Sequence, residues 1–392
     1  MFGYTVRMEE QDKQKEQGAV VPEVGRKLEL EAEVKSKEIQ GLVDRVEKSD
    51  IPEELFSKTE RQLASLNRQF GTEGYNASYD DAERYVDWIV GLPWNKKTED
   101  NYDVDHAREI LQTTHYGLDS VKERVIEYIA VLKMQHEAQQ DQERAEIVSQ
   151  ALKQGHVAQP VLFMVGLPGI GKTSISYTIA KALNREFVRV PMGGMGSALQ
   201  LRGESRVTPE AEPGQIIRGL RHAKTRNPVI LLDEIDRIAE QARAQIMGVL
   251  LELLDPEQNF EFTDYYINFP FDLSDVMFLA SANNTGGISN AVLDRMELIK
   301  MPGYTDEEKI TISRDYLLPK QLRIAGMPAD TIHFAEDVWT RITRPLGYDA
   351  GIRTMERTIN AVVRRVALRI AEGRGEKFEI TLDNVKEFIP QY

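Results

Sequence analysis

Two short segments carry residue types suited to handling a phosphate chain. Gly166, Leu167, Pro168, Gly169, Ile170, Gly171, Lys172 and Thr173, followed by Ser174, lead from the apolar run 161–165 into a helical pattern with Ile175, Ile179 and Leu183 on one face. Glycines let backbone N–H groups curl around phosphate oxygens, and the helix N-terminus behind them favours negative charge. In such a loop the lysine neutralises the β- and γ-phosphates and the threonine hydroxyl completes a Mg²⁺ ligand set. Roughly sixty residues later, Asp233 and Glu234 close the apolar run that begins at Val229, at the end of a strand where open α/β sheets bind ligands. Asp233 is expected to orient Mg²⁺ through its water shell, and Glu234 to polarise the water that attacks the γ-phosphate. A glycine-rich turn, or two acids in an exposed loop, would explain either segment alone. The strand–loop–helix context and the spacing favour the phosphate chemistry, with ATP/ADP and Mg²⁺ as the implied cofactors.

These residues need a sheet to hold them. Continuously apolar runs at 161–165, 187–190, 229–232, 276–280 and 298–301 alternate with helical stretches. Such runs suit strands buried on both faces of a parallel sheet, with helices as right-handed crossovers. The fold class is therefore α/β: a P-loop NTPase with a parallel five-stranded sheet, a C-terminal helical lid domain and an N-terminal helical neck. The expected divisions are a mobile polar tail over 1–27, the neck over 28–95, the nucleotide-binding domain over 96–303 and the lid over 304–392. Ile39, Leu42, Val43 and Val46 mark a neck helix that stops at Ile51-Pro52, and further helices follow over 53–69 and 79–91. Thr305 and Glu308 form a capping-box pattern at the start of the lid, with lid helices near 335–344 and 350–372. The polar stretch 135–158 reads as a helix extension and surface loop.

Composition narrows the chemistry. The 392 residues carry 49 Lys and Arg against 63 Asp and Glu, a net charge of −14, which speaks against phosphate coating as the main activity. The absence of cysteine removes disulfides, thiolate metal sites and cysteine nucleophiles. Six scattered histidines show no His-Glu-x-x-His spacing, so a zinc hydrolase is not indicated. No apolar run reaches the ~18 residues of a membrane span, and the N-terminus lacks the apolar core of a secretory signal. A cytoplasmic protein without a membrane partner is expected.

From Tyr85 onward the chain resembles the ATPase module of Lon proteases, within the AAA+ superfamily. The segments that carry the resemblance are Leu92–Trp94, His115–Leu118, Gly166–Thr173, Phe187–Arg189 with Gly193-Gly194, Arg226–Val229, Leu231–Asp236, Leu253–Asn259, Leu293–Glu297 and Pro302–Thr305. The resemblance implies further roles. Asn283 takes the sensor-1 position and helps Glu234 hold the attacking water. Arg295 takes that of an arginine finger reaching the neighbouring subunit's γ-phosphate. Arg353 takes the sensor-2 position in the lid, and His115, Tyr116, Gly117 and Leu118 border the adenine. A finger acting in trans implies a homo-oligomeric ring, expected to be a hexamer.

Departures from the family matter as much. The sequence stops at Gln391-Tyr392, where Lon continues into a Ser–Lys protease domain, and only a tail and neck precede the ATPase. The loop over 206–214 places Thr208 and Pro209 where Lon has an aromatic and an aliphatic residue that grip polypeptide, and adds Glu210 and Glu212. A second candidate loop, 237–247, lacks the Gly-Asp-Pro turn. The leading reading is a ring ATPase that remodels protein substrates without proteolysis of its own, with a separate protease as a candidate partner. The alternatives are a nucleotide-gated scaffold and the ATPase fragment of a divergent Lon protease. DNA remodelling through Arg218, Arg221, Lys224 and Arg226, or Arg364, Arg365 and Arg369, is the weakest.

Overall fold

The computed structural model describes residues 37–68, 75–140, 160–343 and 351–389. The tail over 1–27, the start of the neck and the polar stretch over 141–158 lie outside the described residues. The chain divides into two compact units, Met1–Asn95 and Lys96–Tyr392.

The first unit contains helices over 37–47, Glu53–Arg68 and Tyr75–Val90. The first helix ends at residue 47, ahead of Pro52, and Glu53 and Glu54 then lie in the first turn of the next, where acids favour the helix dipole. Ile39, Leu42, Val46, Leu63, Leu66 and Val86 meet in one core. The apolar stripes of the neck thus pack on one another, as their acidic outer faces require. Trp94 Nε1 donates to Ile89 O at 2.7 Å, folding the Leu92–Trp94 corner back on the last helix.

Among the described residues the second unit has nine short strands: β1 (Val161–Val165), β2 (Phe187–Pro191), β3 (Val229–Asp233), β4 (Phe262–Thr263), β5 (Pro270–Phe271), β6 (Met277–Ala282), β7 (Met296–Lys300), β8 (Ile332–Phe334) and β9 (Phe378–Ile380). Five of them form one parallel sheet in the order β2-β3-β6-β1-β7. The middle strands β3, β6 and β1 are buried along nearly their whole length, whereas β2 exposes Arg189 and Pro191 and β7 exposes Leu298 and Lys300. The uniform burial expected of all five fails at the two edges, where one face meets solvent. Because β3, β6 and β1 are neighbours, their carboxyl ends release Glu234, Asn283 and Gly166 side by side. Leu232 faces Ala280, and Ala282 faces Val165 in the register.

The helix Lys172–Ala182 buries Ile175, Ile179 and Ala182 against the sheet in a core shared with Val121, Ile129 and Leu231. The segment that leads into this unit is stapled on by polar groups. Arg185 pairs with Asp100 at 2.6 Å, and Asn227 Nδ2 donates to Thr98 O and to Asp100 Oδ1 at 3.0 Å each.

The lid opens with the expected capping box: Glu308 N donates to Thr305 Oγ1 and Thr305 N to Glu308 Oε2, starting the helix Asp306–Ile312. A π-turn over Ser313–Leu317, then helices Leu318–Ile324, Glu336–Thr343, Arg353–Ala371 and Val385–Phe388 follow among the described residues. Their core includes Val338, Trp339, Ile359, Val362 and Phe388. β8 and β9 pair in parallel within the lid. Among the described residues no helix is long and apolar enough to cross a membrane.

Candidate functional site

The loop between β1 and its helix hangs on Ile170, which is fully buried in the sheet's core. Gly169 and Gly171 stand at φ 84° and 97°, a left-handed backbone that glycine adopts without penalty. At Gly166 a Cβ would fall 2.3 Å from Ile170 Cδ1 and 2.6 Å from Met301 O, so only glycine fits. Leu167 and Pro168 are exposed at the tip. Lys172 Nζ donates to Gly166 O, to Leu167 O at 3.1 Å and to Asn283 Oδ1 at 3.0 Å. Burial pushes its ammonium below the usual lysine range, opposed by the carboxylates of Asp233 and Asp236. Thr173 is half-buried at the helix start, and Ser174 points to His115.

His115 caps the helix Val104–Thr114, and the turn Tyr116–Leu118 follows with Gly117 and Leu118 both left-handed, at φ 63° and 57°. The Thr114 hydroxyl gives its one proton to Ile110 O, so His115 Nδ1 donates to Thr114 and Nε2 accepts from Ser174 at 3.0 Å. Burial, helped by the nearby Lys122, lowers the imidazole to about 4, so the ring is neutral at pH 7. A Cβ on Gly117 would sit 3.1 Å from Glu308 Oε1, so this turn touches both the phosphate-loop helix and the lid.

The two acids sit where β3 ends. Asp233 is buried between neighbours on either side: Arg189 Nε of β2 donates to its Oδ2 at 2.7 Å, and the Ser281 hydroxyl of β6 donates to its Oδ1. Glu234 leaves the strand at φ 61°, a left-handed conformation that costs a non-glycine residue about 1 kcal/mol or more. Its Oε2 would lie 2.8 Å from a Cβ on Gly193, so the glycine after β2 makes room for the carboxylate. Arg237 stands 3.7 Å from Glu234 Oε1. Asp236 Oδ2 accepts from the backbone N–H groups of Asn283 and Asn284 at 3.1 and 3.3 Å, fixing the turn after β6.

Asn283 Nδ2 is buried and has no partner among the described residues, while its Oδ1 holds Lys172. A buried amide donor beside a lysine ammonium and an open glycine loop suits an anion or a water held on one. Among the described residues no cluster of three or more His, Asp or Glu forms a ready metal cage. Thr173 at the start of the loop's helix and Asp233 at the end of β3 offer few oxygens, which fits Mg²⁺, commonly held by one or two protein oxygens plus substrate phosphates.

The lid reaches the same loop. Ile352 N donates to Gly169 O at 3.0 Å and Tyr304 Oη to Ile170 O at 3.1 Å. The Arg353 stem lies 3.2–3.5 Å from the position of a Gly169 Cβ. Arg295 is placed differently. It donates to Asp255 Oδ2 at 2.9 Å and to Ala291 O at 3.1 Å, and bonds to no residue of the Lys172–Asn283 cluster. Of the residues named from the sequence, the fold gathers Lys172, Asp233, Glu234 and Asn283 and brings Arg353 to the loop. Arg189, Asp236 and Ser281 join them here without having been given a role from the sequence. Of these, Ser281 leaves a local trace, as a hydroxyl inside an otherwise apolar strand.

The loop over 204–213 projects from a narrow base. Glu204 N donates to Glu212 O at 3.0 Å, and Gly214 N to the buried Asp264 Oδ2 at 2.7 Å. Burial outweighs three backbone donors and pushes Asp264 up to about 6. Val207, Thr208, Pro209 and Glu210 are exposed, Val207 at 93%, and Glu210 is left-handed at φ 60°.

The parallel sheet, the glycine loop and the acids at the end of β3 define a P-loop ATPase module of the AAA+ class. Residues 162–303 match the family described as ATPase family associated with various cellular activities (AAA). Residues 323–379 match the Lon protease AAA+ ATPase lid domain. The chain is 41% identical over 361 residues to Lon protease 2 of Thermus thermophilus, covering 92% of this chain and 44% of that protein. It is 38% identical over 346 residues to the Lon protease of Halothermothrix orenii, covering 88% and 41%. With the Lon protease of Dictyoglomus thermophilum it shares 39% over 360 residues, covering 92% and 43%. The chain thus joins an AAA ATPase match to a Lon lid match, and it spans about two fifths of the length of the curated relatives it matches.

Proposed function

We propose that this module binds ATP with Mg²⁺ and hydrolyses it within a homo-oligomeric ring, a hexamer by family analogy. The work of the cycle is to remodel protein substrates in the cytoplasm, without a peptidase site in this chain and with a separate protease as a candidate partner. The observation that carries the reading is the junction of Lys172, Asn283 and the acids of β3 at three adjacent strand ends. Lys172 and the N–H groups of the glycine loop bind the phosphates, and the His115–Leu118 turn borders the base. Glu234 orients a water toward the γ-phosphate, and Asn283 Nδ2 holds it from the other side. Thr173 and Asp233 would hold Mg²⁺, which supplies charge neutralisation at the β- and γ-phosphates. Arg295 serves the neighbouring subunit's site, in keeping with its distance in bonding from its own. Arg353 links nucleotide contact to the lid.

Nucleic acid is disfavoured beyond net charge, because several candidate cations are already paired. Arg218 meets Glu212 at 2.8 Å, Arg226 meets Asp272 at 2.5 Å and Arg369 meets Glu387 at 2.7 Å.

A second reading, the nucleotide-gated scaffold, is favoured by the exposed loop, whose Thr208 and Pro209 offer little grip on an extended chain. Steady-state ATP hydrolysis with and without casein separates the two. Stimulation by casein supports remodelling; a turnover rate indifferent to unfolded protein supports the scaffold and contradicts threading.

A further inference from the structure

Ser281 lies near the end of β6, next to β3, and is fully buried. Its strand neighbours Met277, Phe278, Leu279, Ala280 and Ala282 are all apolar and buried. A hydroxyl in that setting is costly unless both its donor and its acceptor are used. Here both are used, and both serve the acids of the neighbouring strand. The hydroxyl proton goes to Asp233 Oδ1, and the oxygen accepts the Glu234 backbone N–H at 3.2 Å. The second contact falls where Glu234 turns into its left-handed conformation, so Ser281 bonds to the backbone at the bend that sends the carboxylate toward Gly193.

We propose that Ser281 is the positioning residue of the acid pair: one hydroxyl that sets the rotation of the Asp233 carboxylate and fixes the backbone from which Glu234 projects. The inference rests on the functional reading above, and assigns to Ser281 a role on both the metal-orienting and the water-orienting acid. With the Ser281 hydroxyl on Oδ1 and Arg189 on Oδ2, the carboxylate is held from both sides, and only the Ser281 contact reaches Glu234 as well. Loss of the hydroxyl frees the Asp233 carboxylate to rotate toward Arg189 and leaves the Glu234 N–H unpaired.

The test compares Ser281→Thr with Ser281→Val in the full chain, since the two side chains have nearly the same shape and differ in the hydroxyl. Binding of a fluorescent, non-hydrolysable ATP analogue is followed as Mg²⁺ is titrated and again in excess chelator, with thermal unfolding alongside. The valine variant is expected to need about tenfold more Mg²⁺ than the threonine variant for half-saturation. Their affinities in chelator should match, while the valine variant, with the Glu234 N–H left unpaired, should unfold at a somewhat lower temperature. Superimposable Mg²⁺ curves for the two variants overturn the role of Ser281, as does a loss of affinity that is the same with and without Mg²⁺. A wild-type chain whose affinity for the analogue ignores Mg²⁺ overturns the functional reading itself.

Discussion

The Lys172 ammonium donates to the Asn283 side-chain oxygen at 3.0 Å, joining the loop after β1 to the turn after β6. That contact fixes the Asn283 amide so that its Nδ2 faces a buried position with no protein acceptor among the described residues. The two residues should therefore separate binding from chemistry. Lys172→Ala is expected to abolish ATP binding. Asn283→Ala should leave binding nearly intact while lowering turnover about 100-fold, the usual cost of one preorganised donor. Equilibrium binding of a fluorescent ATP analogue, set beside steady-state hydrolysis, distinguishes the two.

Arg295 rests on Asp255, which burial pushes up but whose bonds from Arg295, the Glu257 backbone and Gln258 hold it below the usual carboxylate range. If Arg295 acts on the next subunit, Arg295→Ala should lose on the order of a thousandfold in rate with ATP binding retained. Mixing Arg295→Ala chains with Glu234→Gln chains should restore turnover, because each supplies what the other lacks. No recovery in the mixture would count against a finger acting in trans.

His115 gives a pH signature. Its folded pKa of about 4 lies below the unfolded value of 6.5, so between those values the unfolded chain binds more protons. Stability from this residue is complete above pH 6.5 and is lost as pH falls toward 4. Protonation also removes the Nε2 acceptor that receives the Ser174 hydroxyl. In His115→Gln the decline of the unfolding temperature over that window should be shallower than in the wild type.

The exposed loop can be asked directly whether it lacks grip. Replacing Thr208→Tyr together with Pro209→Ile restores the aromatic–aliphatic pair expected of the family while leaving the Glu204–Glu212 base intact. Casein-stimulated hydrolysis should rise severalfold with the basal rate unchanged. An unaltered ratio would mean that the loop does not contact polypeptide.

Much of this arrangement is legible in the sequence because it is written locally. Glycine spacing, an apolar run before Gly166 and acids at the end of another run report the phosphate loop, the strands and the positions of Asp233 and Glu234. The contacts that set those side chains are not local. Ser281 meets Asp233 across 48 positions, and Arg189 meets it across 44. Both depend on sheet register, which apolar runs do not fix. The β8–β9 pair escapes for the same reason, being three residues long on each side. The edge strands β2 and β7 read as fully buried because periodicity does not reveal which strands lie outermost. Arg295 and Asp255 are each visible in a motif, yet nothing in either segment announces that they pair.

On the proposed function, Asp233 and Glu234 serve the hydrolysis of ATP held by the Lys172 loop. The most direct test of that role is ATP hydrolysis by the wild-type chain and by Glu234→Gln, each with nucleotide affinity measured on the same preparation. Mg²⁺-dependent turnover is expected in the wild type, and in the variant ATP binding at least as tight with turnover reduced by about 100-fold or more. Equal turnover in the two chains, or tight ATP binding by a wild type that never releases phosphate, would contradict it.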